Sequence, residues 1–194
     1  MEDSKNLDKK NRLEIFKYNA ILSALFFLTS TLYLSGQLPN YSFSKYTISQ
    51  MSYFLNPQQL SFFNLLFIIK GLLDLSFVYY VLKKFELKLN ALTSLVWLTA
   101  SVSFGLIGFF PVNKFFVIHW ILAICLFVFY TIGEHVLAKF TGDKNFISFT
   151  KNLIFIQIAS TVLLISFRQF NAIFEILYFL LAFFWEIVFI SRFL

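Results

Sequence analysis

Cysteine occurs once in 194 residues, as Cys125 inside an apolar run, which excludes an intrachain disulfide and any thiolate metal cluster. Histidine is almost as scarce. His119 and His135 stand 16 residues apart at opposite ends of one apolar stretch, so no HExxH helix and no His-rich or Cys-containing metal site can be assembled, and neither metal nor cofactor is expected. No GxSxG nucleophile elbow is present, and no period of about 20–50 residues recurs, so the chain holds no internal repeat. The largest deficit is charge. Asp, Glu, Lys and Arg make up 13% of the chain, about half the share usual in soluble domains.

What fills the chain instead is apolar: 59% hydrophobic and 21% aromatic residues, with a mean hydropathy of +0.75. That composition is a membrane protein's. The 29 phenylalanines are read as a report on solvent, since lipid tolerates them where a soluble core would carry mixed aliphatic residues. The formal net charge of +6 does not imply a nucleic-acid partner, because the basic residues sit in short linkers between apolar runs rather than in one patch. The opening MEDSKNLDKKNRLEIFKYN is polar for too long to be a leader, and no small-residue cleavage site follows its apolar stretch. The first span is therefore expected to be retained.

A membrane helix needs about 20 predominantly apolar residues. Six candidate spans satisfy or approach this, at 18–36, 61–82, 89–110, 115–138, 152–167 and 172–194. The fifth is short and is expected to form a tight hairpin with the sixth through the RQFN turn at 168–171. The fold class implied is all-α, a single-domain, six-transmembrane-helix bundle. Lys5, Lys9, Lys10, Arg12 and Lys17 precede the first span, Lys83, Lys84 and Lys88 follow the second, Lys139, Lys144 and Lys151 follow the fourth, and Arg192 ends the sixth, whereas only Lys45, Lys114 and Arg168 lie opposite. Basic residues are retained on the cytoplasmic side, so both termini are expected there, in the plasma (cytoplasmic) membrane. The outer loop 37–60 is too aromatic for a solvated linker. Its Ile48, Met51 and Leu55 make a helix-spaced stripe suited to the interface, and the loop is expected to cap the outer mouth of the bundle. In the third span, Ser101, Gly105 and Gly108 form a small-residue face suited to close helix packing.

Ionisable and strongly polar residues inside spans cost about 2.5–3.5 kcal/mol each for a charge at the centre, so they face the bundle interior and pair or serve function. Span two holds Asn64, Lys70 and Asp74, span four His119 and Glu134, span five Gln157, and span six Glu175 and Glu186. Lys70 and Asp74 are i and i+4 and can pair on one helix face. Alternatively, Lys70 points to an outward cavity to hold an anion such as a lipid phosphate, with Asp74 fixing its position. Glu175 and Glu186 are 11 residues apart on one stripe, about 16 Å apart along the axis. Two polar layers follow: His119 and Glu175 near the outer surface, and Asp74, Glu134 and Glu186 deeper on the cytoplasmic half.

Two stretches, TISQMSYFLNPQQLSFFNLLFIIKGLL at 47–73 and LIGFFPVNKFFVIHWILAICLFVF at 106–129, carry an Ile-Ser pair, a proline, a Phe-Asn and a later glycine, then a Gly-x-Phe-Pro turn followed by a histidine opening a span. This resembles the six-span family called domain of unknown function 998, itself distantly similar to the FRAG/DRAM/SFK-type membrane proteins. Gln50 stands where relatives often carry an acidic residue. The resemblance implies a lipid-related role and marks Ser49, Pro57, Asn64, Gly71, Pro111 and His119, without making any of them catalytic.

The leading expectation is a non-enzymatic protein that binds a membrane lipid or other amphiphile in an outward-facing intramembrane cavity lined by Asn64, Lys70, Asp74, His119 and Glu175, with Ser49, Ser52, Asn113, Glu134 and Glu186 as secondary candidates. One alternative is a membrane-embedded lipid-modifying enzyme using Ser49 or Ser52 with His119 and Glu175. Another is a small ion or solute transporter or channel using Lys70, Asp74, Glu134 and Glu186.

Overall fold

The computed structural model of the chain describes residues 14–166 and 171–194. Among these, the chain is helical, with six α-helices: α1 Asn19–Ser35, α2 Pro57–Lys84, α3 Leu92–Ile107, α4 Phe116–Thr141, α5 Lys144–Ser166 and α6 Ala172–Phe193. Short 3-10 turns at Ile15–Tyr18 and Ser49–Tyr53 precede α1 and α2. Five of the helical segments are long and apolar enough to cross a membrane, and Leu92–Ile107 is a shorter apolar helix. Sixteen residues in α3 span about 24 Å, less than the roughly 30 Å of a hydrocarbon core.

Helix boundaries follow local chemistry. Pro57 opens α2, and Asn56 and Gln59 close a reciprocal capping box, each side chain accepting from the other residue's backbone N–H. The linker between α4 and α5 is shorter than the sequence suggested. Gly142 ends α4 in the left-handed conformation at φ 71°, and the Asp143 carboxylate accepts from the Asn145 and Phe146 N–H groups at 2.8 and 3.0 Å. That N-cap starts α5 at Lys144, so the polar stretch 144–151 is helix and the fifth span is not short. Asn171 caps α6 in the same way, accepting from Ile173 and Phe174. The rest of the expected RQFN turn, 168–170, lies outside the described residues.

The helices alternate up and down. Glu14 pairs with Lys84 at 3.6 Å and Asp143 with Arg192 at 3.9 Å, while the Phe85 ring meets those of Phe140 and Phe189. One end of the bundle therefore gathers the segment before α1, the end of α2, the α4–α5 turn and the end of α6. The opposite end is covered by the 37–56 loop. Ile48 and Met51 of that loop are buried in the protein core, so the stripe expected at the lipid interface packs inward and seals the bundle.

Small residues bring α2 and α3 together. A Cβ built on Gly71 would stand 2.5 Å from the Gly105 Cα, and one on Gly108 would strike the Asn64 carbonyl, so the glycine face on α3 is a packing surface against α2. The phenylalanines divide by position. Phe27, Phe63, Phe77, Phe104, Phe146 and Phe189 are fully buried, whereas Phe62, Phe116, Phe155 and Phe184 are exposed on helix flanks. Reading every Phe as a report on solvent is corrected here, because Phe27, Phe67 and Phe104 build an edge-on cluster and Trp185 stacks on Phe189 in the core.

Candidate functional site

Polar side chains gather at two levels of the bundle. The first is a cavity of about 560 Å³ beneath the capping loop, bounded by Thr47, Ser49 and Gln50 above, by α4 from His119 to Val128, by Thr161 of α5 and by Phe174, Glu175 and Tyr178 of α6. Thr47, Ser49, Gln50, His119 and Glu175 stand toward the loop end, Thr161 and Tyr178 lie lower, and the rest of the wall is Val112, Trp120, Ala123, Ile124, Phe127, Val128 and Phe174. Ile124 and Val128 are also exposed, so the cavity is not sealed along α4. A second space of about 300 Å³ shares Phe127, Val128, Thr161 and Tyr178 with it and continues to Gln157.

His119 enters this site from the turn that precedes α4. Lys114 and Phe115 N–H groups both return to the Pro111 carbonyl at 3.0 and 2.9 Å, a tight turn that leaves the Phe110 carbonyl to another donor. His119 Nδ1 lies 2.8 Å from that carbonyl. A carbonyl only accepts, so Nδ1 carries the proton and the neutral ring keeps a lone pair on Nε2. The histidine thus completes the turn with one nitrogen and lines the cavity with its ring.

Glu175 sits in the first turn of α6, where the helix dipole favours an acidic group. Its Oε2 accepts the Ile48 N–H at 2.5 Å. Around it, the Asn171 side-chain amide donates to the Ser44 carbonyl at 2.9 Å and the Ala172 N–H to the Tyr46 carbonyl at 2.8 Å, so the capping loop is stitched to the start of α6. Tyr41 supports the same loop by donating to the Thr47 carbonyl at 3.1 Å. Burial, and next the Glu175 charge, push the Tyr41 phenol up, which keeps it a donor. On the other side, the Asn113 amide donates to the Ser52 carbonyl at 3.1 Å.

The second level is a buried cluster fed by five helices. Lys70 Nζ lies 2.7 Å from Asp74 Oδ2 and 3.3 Å from Ser23 Oγ, and Ser23 donates to Asp74 Oδ1 at 2.5 Å. The ammonium also stands 4.8 Å from the centre of the Phe104 ring, a cation–π contact. Tyr130 donates to Glu186, and Glu186 feels the charges of Lys70 and Asp74. Glu134, with no exposed surface, and Gln157, 1% exposed, complete the group. Gln157 is near enough to the Glu134 carboxyl to approach it as a hydrogen-bond partner, yet neither side chain completes a hydrogen bond of ordinary length among the described residues. A cavity of about 20 Å³ touching Lys70, Tyr130 and Glu186 has room for about one water.

The expected lining is therefore divided. Ser49, His119 and Glu175 meet at the cavity beneath the capping loop, while Lys70 and Asp74 do not line it, because the ammonium is turned onto Asp74 and Ser23 in the buried cluster with Glu134 and Glu186. Asn64 also stands apart, with its carbonyl against Gly108 at the α2–α3 seam. Ser52 and Asn113 serve the loop, Ser52 with its hydroxyl buried and without a hydrogen bond among the described residues. Ser49, His119 and Glu175 are not wired as a triad among the described residues, since Glu175 holds Ile48 and His119 Nδ1 holds Phe110. Sequence reasoning missed Ser23, Tyr130, Thr161 and Tyr178. Serine, threonine and tyrosine are ordinary inside apolar runs and carry no marker until a partner helix is placed beside them. Gln157 did carry one, as the lone amide in its span. Among the described residues no group of His, Cys, Asp and Glu is arranged to hold a metal ion.

Comparison of the chain with protein-family models, with curated proteins and with solved structures finds no match.

Proposed function

We propose that the protein is a six-span protein of the plasma membrane, with both termini cytoplasmic, that binds a lipid or other amphiphile in its outward-facing cavity. The resemblance to the domain of unknown function 998 family belongs to the same proposal. The observation that carries the reading is the cavity's form. About 560 Å³ of mostly apolar space has its one carboxyl and its histidine, Glu175 and His119, toward the loop end, an arrangement that suits an amphiphile. The exposed Ile124 and Val128 on α4 mark where a chain would enter from the bilayer rather than from water. The orientation rests on the basic residues at the end holding Lys83, Lys84, Lys139 and Lys144.

The test is the amount of lipid that stays with the purified protein. Ala123→Trp adds a large ring to the cavity wall and should reduce lipid retained through delipidation, measured by native mass spectrometry, at unchanged thermal stability. Equal retention by Ala123→Trp and the parent would refute the reading.

A second reading, a small ion or solute transporter, draws on the buried Glu134 and on Gln157, which lines the lower space, neither completing a hydrogen bond among the described residues. It requires flux in reconstituted vesicles that Asp74→Asn removes. The lipid-modifying alternative has no comparable support, because the Ser49, His119 and Glu175 groups are committed to other partners or unconnected.

A further inference from the structure

The polar end of the cavity combines one carboxyl, Glu175, and one imidazole, His119, with the Thr47 and Ser49 hydroxyls and the Gln50 amide, whose oxygen is used by the Thr47 N–H. Glu175, a lining residue, uses Oε2 on the Ile48 N–H, and its second oxygen has no hydrogen bond among the described residues. His119 donates through Nδ1 to the Phe110 carbonyl, which leaves its other ring nitrogen with a lone pair. The Ser49 hydroxyl lines the same end. Among the described residues no Lys or Arg lines this cavity, and Lys70, the cation expected there, is held by Asp74 at 2.7 Å in the inner cluster. A phosphate or carboxylate head placed against these groups would set negative charge beside the Glu175 carboxylate with no counter-charge among the described residues.

We infer that the cavity selects an amphiphile with a hydrogen-bond-donating, positively charged head, a primary amine on an apolar chain, with Glu175 and His119 as its acceptors. This rests on the cavity being a ligand site. The amine donates to the free Glu175 oxygen and to the His119 lone pair, and the chain lies along α4 toward Val128 and Thr131, which is about 18 Å from His119 at the helical rise. The groove shared by the two spaces runs in that direction, lined by Phe127, Val128 and Thr161. A charge-assisted pair in so apolar a setting discriminates more strongly than the same pair in water.

The experiment uses the full chain in nanodiscs and four single-chain amphiphiles of one chain length, carrying primary amine, trimethylammonium, hydroxyl or phosphate heads, each competed against a fluorescent alkylamine. The amine is expected to bind about tenfold or more tightly than the phosphate and more tightly than trimethylammonium, which keeps the charge but cannot donate. Glu175→Gln keeps the side chain's shape and an acceptor for Ile48, and should bring the amine down to the level of the hydroxyl compound. Preferred binding of the phosphate, or equal binding of all four, overturns the head-group inference while leaving the cavity reading intact. Failure of all four to bind, with Ala123→Trp also without effect, removes the cavity reading itself.

Discussion

Replacing Asp74 with alanine would strand the Lys70 ammonium in the centre of the bundle. Lys70 is 5% exposed and Asp74 3%, with 2.7 Å between Nζ and Oδ2. At that distance, and at an effective dielectric of about 20, the direct attraction is of order 6 kcal/mol, against which the cost of desolvating both ions is set. What remains to Lys70 after the substitution is the Ser23 hydroxyl at 3.3 Å and the face of Phe104, neither of which neutralises it. Glu186 is the next carboxyl to feel Lys70, but it is engaged by Tyr130. Breaking one side of such a pair costs about 3–5 kcal/mol, whereas replacing both partners by apolar residues of similar size is close to neutral. Asp74→Ala should therefore lower unfolding stability in detergent by that amount, and Lys70→Met with Asp74→Leu should restore most of it. The assay is equilibrium unfolding followed by tryptophan fluorescence, comparing the single and double variants with the parent. A loss below about 1 kcal/mol for Asp74→Ala, or a double variant no more stable than the single, would refute the reasoning that the pair is buried and mutually dependent.

Gly71→Ala should destabilise the bundle by about 1–3 kcal/mol, because its Cβ would stand 2.5 Å from the Gly105 backbone. Gly36→Ala, whose Cβ would meet nothing nearer than 3.5 Å, is the control in the same thermal melt. Glu175→Ala removes the acceptor of the buried Ile48 N–H and should cost about 1–3 kcal/mol, with faster hydrogen exchange over residues 44–53 as the local readout. Asp143→Ala removes the N-cap of α5 and should cost about 0.5–2 kcal/mol, measurable by the same unfolding curves. For the orientation, single cysteines at Lys45 and Lys144 in a Cys125→Ala background should label from outside and inside the cell respectively; labelling of the Lys144 position from outside would reverse the proposed topology.

Much of the architecture was legible because each span must satisfy its own backbone within lipid, so composition and run length alone locate helices. The boundaries at 61–82 and 115–138 fell within four residues of α2 and α4. The fifth span was placed too late because lysines at 144 and 151 were read as linker, when Gly142 and Asp143 already turn the chain and cap the next helix. The Ser101, Gly105 and Gly108 face was readable as a packing surface, since small residues at helical spacing have few other uses in lipid. Which helix it meets was not readable.

The candidate site divides along the same line. Linear spacing by itself determined that Lys70 and Asp74 could pair, that Glu175 and Glu186 share a stripe at two depths, and that His119 lies just inside a span, because helical periodicity is a property of one segment. Only the tertiary structure decided which of these groups face one another. Sending Lys70 inward onto Asp74 and Ser23 depends on where α1 packs against α2, and joining Glu175 to the Ile48 N–H depends on a loop 127 residues away in the chain. Such long-range partners are chosen by side-chain packing and by the cost of leaving a polar group unpaired away from water, and neither quantity is written in any one stretch of sequence.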